Sequence, residues 1–166
     1  MVKIPPWSPK AQRRRRKAVR LPSSAQPDQL LSVGSTSEVN AWLVRLTPSI
    51  RELGQLKRGW QGSGSRPVSS DSVAKLLNVL LDIGAYVVPP PQLVALASGG
   101  VQAEWHYYGQ ILEIGIYVNG GVFAFAGDDA GESVFELEDT WFIPSGQHLV
   151  LRRYLFSLAE CMKGLQ

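Results

Sequence analysis

Two periodicities alternate along the chain. Trp42, Leu43 and Leu46 recur at helical spacing behind Ser37, a residue type that caps helix N-termini. Thr47-Pro48 predicts a restart of that helix, because proline favours the first helical position; Ile50 and Leu53 carry the stripe on to Gly54. Residues 59–68 (GWQGSGSRPV) form a glycine-rich loop. Ser69 or Ser70 then opens a second helix with Val73, Leu76, Leu77, Leu80 and Leu81 on its buried face and Gly84 as its stop. Three prolines in segment 86–92 forbid both helix and central strand and predict an extended connector. From there to Asp139 the alternation is that of strands, expected near 92–97, 101–107, 110–118, 121–127 and 133–138. Ser145 opens a last helix with Leu151, Tyr154, Leu155, Leu158 and Met162 along one face. The fold class expected is α+β, a four- to five-stranded antiparallel β-meander with helices packed on one face.

The turns set a register. Tyr108-Gly109 as a two-residue turn pairs Tyr107 with Gln110, Trp105 with Leu112, Ala103 with Ile114 and Val101 with Ile116. Asn119-Gly120 is a strong type I′ signal; as a two-residue turn it sets Ile116 opposite Phe123 and Ile114 opposite Phe125. The expected core face is then Val101, Ala103, Trp105, Leu112, Ile114, Ile116, Phe123 and Phe125. The opposite face carries Gln102, Glu104, His106, Ile111, Glu113, Gly115, Tyr117, Val122, Ala124 and Ala126, with Gly115 beside Ala124 in a shallow patch. Burial by the chain itself is the simpler account of that patch. If a partner lies there instead, its contact residues are Ile111, Gly115, Tyr117, Val122 and Ala124.

The length of 166 residues, 45% hydrophobic and 19% charged, fits one soluble domain with a tail, here residues 37–166 preceded by a basic disordered tail and linker over 1–36. No apolar run is long enough to span a membrane. The net charge of +3 conceals an imbalance, because residues 1–20 hold eight cations and no acid while the remainder sums to −5. Arg13, Arg14, Arg15, Arg16 and Lys17 can neutralise closely spaced phosphates, giving non-specific, salt-sensitive nucleic-acid binding; a solvated arm or an import signal has the same composition. Asp128, Asp129, Glu132, Glu136, Glu138 and Asp139 form the opposing acidic run. The lone Cys161 rules out an internal disulfide and fits a reducing, cytoplasmic setting.

Candidate chemistry is sparse. Glu104 and Glu113 fall opposite each other in the expected register, so one carboxyl can be held protonated for acid–base work. With His106 on the same face they form a weak catalytic or metal-ligating candidate set, against the plain alternative of solvated carboxylates. Residues 128–132 lack the acidic spacing of a calcium loop, GSGS lacks the lysine of a phosphate loop, and no nucleophile elbow or dinucleotide fingerprint occurs. His148 is expected at the surface and Cys161 as a small apolar residue. Trp60, between glycines, reads as an anchor for its loop.

The sequence Gly59-Trp60-Gln61-Gly62-x-Gly64-x-x-Pro67, a capped helix, a Pro-rich connector, Gly99-Gly100-Val101-x-x-Glu104-Trp105 and Leu112-Glu113-Ile114 together resemble a group of small bacterial and phage-borne proteins. Gln61 stands where that pattern usually has Asp. The resemblance covers roughly residues 53–118 and implies a prokaryotic or phage origin and a recurring α+β unit, with no activity and no catalytic residues attached. No cofactor or metal is expected. The leading expectation is a non-catalytic partner-binding protein, of the antitoxin or immunity kind, with a protein partner. The alternatives are an accessory protein docked on nucleic acid through its Arg-rich arm, and an enzyme or metalloprotein using Glu104, His106 and Glu113.

Overall fold

A computed structural model describes residues 35–128, 130, 132–140, 142–143 and 145–163, with side chains left aside at 139, 145 and 161–163. All of them fall in one compact unit, Gly34–Gln166. The Arg13–Lys17 cluster, Asp129 and the side chains of Asp139, Cys161 and Met162 lie outside the described residues.

Helix α1 runs unbroken over Thr36–Gln55. Its N-cap is Ser35, not Ser37: Ser35 Oγ accepts from Glu38 N at 3.3 Å, and the Glu38 carboxylate accepts from Ser35 N at 2.8 Å. Pro48 lies inside the helix and does not restart it. The carbonyl its ring deprives of a donor belongs to exposed Val44, where water can serve instead. Helix α2 spans Ser70–Asp82 behind Ser69, and Leu76 and Leu80 are its fully buried side chains. Gly84 then turns left-handed into a 3-10 turn over Ala85–Val87, where a purely extended connector was expected. The Pro-rich stretch beyond it is held by indoles. Trp42 Nε1 donates to the Val88 carbonyl at 3.0 Å and Trp105 Nε1 donates to the Pro89 carbonyl at 2.9 Å.

The sheet is an antiparallel meander in the order β1 (Gln92–Ala95), β2 (Val101–Tyr107), β3 (Gln110–Ile116), β4 (Val122–Asp128) and β5 (Ser133–Thr140), followed by helix α3 (Ser145–Lys163). The β2–β3 pairing is the one expected, Tyr107 with Gln110 through Val101 with Ile116. Tyr108 and Gly109 both take positive φ, 48° and 76°, as a type I′ turn demands.

The β3–β4 pairing is one residue away from expectation. Ile116 pairs with Val122, Gly115 with Phe123, Ile114 with Ala124 and Glu113 with Phe125. The loop has three residues, Val118-Asn119-Gly120, closed by Gly120 N to Tyr117 O at 2.9 Å and Tyr117 N to Gly121 O at 2.8 Å. Asn119 keeps a negative φ while its Oδ1 accepts from Gly121 N at 2.9 Å, so Gly120 alone, at φ 88°, supplies the left-handed residue. That geometry is a type I turn followed by a bulge, the usual three-residue hairpin. A one-residue slip exchanges the faces of a strand. Val122, Ala124 and Ala126 therefore point into the core, at 0–1% exposure, and Phe123 and Phe125 point out of it. The core face is Val101, Ala103, Trp105, Leu112, Ile114, Ile116, Val122, Ala124, Ala126 and Leu137. It packs with Trp42 and Leu46 of α1, Leu76 and Leu80 of α2, and Leu151, Leu155 and Leu158 of α3. Tyr154 Oη donates to the Gly127 carbonyl at 2.6 Å, tying α3 to β4.

Candidate functional site

The second face of the sheet carries the candidate residues. Alternation along β2, β3 and β4 brings Gln102, Glu104 and His106 onto it beside Ile111, Glu113, Gly115 and Tyr117, then Phe123, Phe125 and Gly127. One row crosses all five strands, in the order Gln92, Glu104, Glu113, Phe125, Glu136. Ile111, Tyr117, Phe123 and Phe125 are half-buried and belong to neither the core nor the residues packed against it. Among the described residues, no helix covers this face.

Of the five residues expected to meet a partner, the structure keeps Ile111 and Tyr117 on this face and moves two. Val122 and Ala124 are corrected to the core by the three-residue turn. Gly115 stays on the face, but it is buried, because the Phe123 ring lies across it: a Cβ at Gly115 would stand 2.1 Å from Phe123 Cζ. The missing side chain of a mid-strand glycine is thus replaced by an aromatic ring from the next strand. Tyr117 extends the aromatic surface, its ring 4.8 Å from that of Phe123 and tilted by 32°. The patch is ridged by rings where the sequence suggests a flat one. A two-residue turn would put Phe123 and Phe125 in the core; the signal that places them outside is a glycine, Gly115, facing an aromatic, Phe123.

Glu104 and Glu113 do stand opposite each other. Gln102, at 9% exposure, donates from Nε2 to Glu104 Oε1 at 3.0 Å and also hydrogen-bonds Glu113. His106 Nε2 lies 3.3 Å from Glu104 Oε2. Burial, together with the facing Glu104 carboxylate, pushes the Glu113 carboxyl above its ordinary range, against the opposing pull of His106 and the Gln102 hydrogen bond. Chemically this is a proton-retentive carboxyl on an open strand surface. The three residues do not converge as ligands: no group of three His, Cys, Asp or Glu side chains suited to a metal ion occurs among the described residues. His106 is exposed, with 54% of its side chain accessible, and it faces only Glu104 among the ion pairs described.

The remaining candidates are dispersed. Asp128 closes the β4–β5 loop, its Oδ1 accepting from Glu132 N at 2.8 Å, and Glu136 and Glu138 are exposed along β5. His148 is half-buried in the first turns of α3. Trp60 anchors its own loop, donating from Nε1 to the Arg66 carbonyl at 3.0 Å. No helix among the described residues is long and apolar enough to cross a membrane. No protein-family model, curated protein or solved structure matches this chain.

Proposed function

We propose that this is a non-catalytic partner-binding protein, of the antitoxin or immunity kind, whose second sheet face receives a protein with a cationic surface. One observation supports it above the others. The helices serve a single face of the sheet, while the opposite face shows Ile111, Tyr117, Phe123 and Phe125 alongside Glu104 and Glu113. Aromatic rings among carboxylates suit arginine-rich surfaces, because a guanidinium stacks on a ring and forks to a carboxylate. The acidic edge at Glu136 and Glu138 adds steering of the same sign.

The test uses the full chain as bait in extract of its native host, beside Tyr117→Ala and the double variant Glu104→Lys/Glu113→Lys, each first shown to be folded by circular dichroism. A stoichiometric basic protein retained by the parent and lost by both variants is the expected result. Retention unchanged in both variants, or no stoichiometric protein at all, contradicts it.

A second reading rests on the five consecutive cations Arg13 to Lys17. In that reading the chain docks on nucleic acid through them, with binding that falls steeply as salt rises and vanishes when residues 1–20 are removed. Affinity that survives the deletion removes it.

A further inference from the structure

The glycine-rich loop between α1 and α2 is more ordered than its composition suggests. Gly59 N donates to the Ser65 carbonyl at 3.0 Å, Ser65 N to the Gly62 carbonyl at 3.0 Å and Gln61 N to Ser65 Oγ at 3.0 Å. Ser65 Oγ donates in turn to the Gly62 carbonyl at 2.9 Å, and this serine is 3% exposed. With the Trp60 bond to Arg66 already described, the loop is closed on itself. It is then fixed to the β1–β2 connection by Arg66 N to the Ala97 carbonyl and Ser69 N to the Gly99 carbonyl, both 2.9 Å. Gly99 makes the fit possible: at φ 97° it lies so close that a Cβ would meet the Pro67 carbonyl oxygen at 3.0 Å and Val118 Cγ2 at 3.5 Å.

This scaffold holds an open cleft of about 390 Å³ lined by Arg58, Arg66, Pro67 and Val118. No acid occurs between Gly54 and Ser70. Among the described residues, neither Arg58 nor Arg66 has a carboxylate within ion-pair distance. The turn that carries Val118 is itself held from α2, where Lys75 Nζ donates to the Gly120 carbonyl at 2.6 Å. In a body whose charge is otherwise acidic, two exposed arginines without a carboxylate line the same open cleft, on a loop whose backbone is held in place.

We propose that this cleft binds the phosphate group of a small phosphate ester. The two guanidinium forks match phosphate oxygens in pairs. Pro67 and Val118 offer apolar surface to the organic part, which the cleft has room for beyond a lone phosphate. The proposal is independent of the sheet-face reading, and neither fails with the other.

The test follows the Arg58 and Arg66 Nε–Hε signals of the full chain by heteronuclear NMR at constant ionic strength. The probes are inorganic phosphate, adenosine 5′-monophosphate and acetate. Reading these signals separately keeps the site distinct from Arg13–Lys17. The expected result is saturable shifts of both signals with phosphate and the nucleotide, at a Kd of about 1 mM or tighter for the nucleotide, and none with acetate. Arg58→Gln and Arg66→Gln should each weaken binding about tenfold, because each removes one charge-assisted pair of hydrogen bonds; Arg51→Gln on α1 should leave it unchanged. Arg66→Lys keeps the charge without the fork and should recover part of the loss. Linear shifts, an equal response to acetate, or indifference to both glutamine variants would overturn the site. Equal affinity for phosphate and nucleotide would overturn the ester as its ligand.

Discussion

The two turns at either end of β3 make opposite uses of similar sequences. Tyr108-Gly109 is a poor type I′ pair on residue preference, yet it forms one, with a bulky tyrosine held at φ 48° and 70% exposed. Asn119-Gly120 is a favoured type I′ pair, yet it forms a longer loop in which the asparagine side chain bonds Gly121 and only the glycine turns left-handed. What decides between them is the strand beyond the turn. In β4 both alternating sets are apolar, Val122, Ala124 and Ala126 in one and Phe123 and Phe125 in the other, so turn preference alone does not say which set is core. Packing decides it. Small side chains face the helices, and a phenylalanine fills the space above Gly115.

The largest effect that separates the two faces comes from placing the same residue on each. Ala124→Gln buries an amide and overfills the core, so chemical denaturation should show a loss of about 3 kcal/mol or more. Phe125→Gln, on the open face, should lose only about 1 kcal/mol. Reversal of that order would restore the two-residue turn.

The turns themselves give the next contrast. Gly120→Ala forces a side chain into the left-handed region and should cost about 1 kcal/mol of unfolding free energy. Tyr108→Asn places a residue that tolerates that region where tyrosine does not, and should gain up to about 1 kcal/mol. A gain at Tyr108 would show that the exposed tyrosine is kept at the expense of stability; no gain would mean that its edge contact with Tyr107, at 5.6 Å between ring centres, repays the strain.

The smallest effect lies in the carboxylate pair. Because the folded Glu113 carboxyl is raised, its contribution favours the fold at low pH and is lost as pH rises through the folded value. Glu113→Gln should therefore stabilise by about 0.5 kcal/mol at pH 7. The advantage should disappear below pH 4.5, the ordinary glutamate value, where the carboxyl is neutral in both states. An advantage that grows on acidification would contradict the repulsion between Glu104 and Glu113.

Much of the architecture was legible where one periodicity excluded the other. The β2–β3 register follows from polar Gln102, Glu104 and His106 alternating with apolar Val101, Ala103 and Trp105, and it places Glu104 opposite Glu113. The caps of α1 and α2 were legible to within two residues, and the 3-10 turn at Ala85–Val87 was hidden because the prolines that begin two residues beyond it mask a single turn. The aromatic part of the sheet face was not legible, since it depends on the face to which β4 commits. The cleft of Arg58 and Arg66 was not legible either, since it forms only when the loop is laid against Gly99 and Val118.

Whether Phe123 and Phe125 lie on the sheet face that the helices leave open can be read by solution NMR. Nuclear Overhauser contacts are expected between the Gly115 α-protons and the Phe123 ring, with those protons shifted upfield by the ring current, and from Ala124 to the core side chains of α1, α2 or α3. Contacts from the Phe123 and Phe125 rings to Leu76, Leu80 or Leu155, with Gly115 free of any ring, would contradict it.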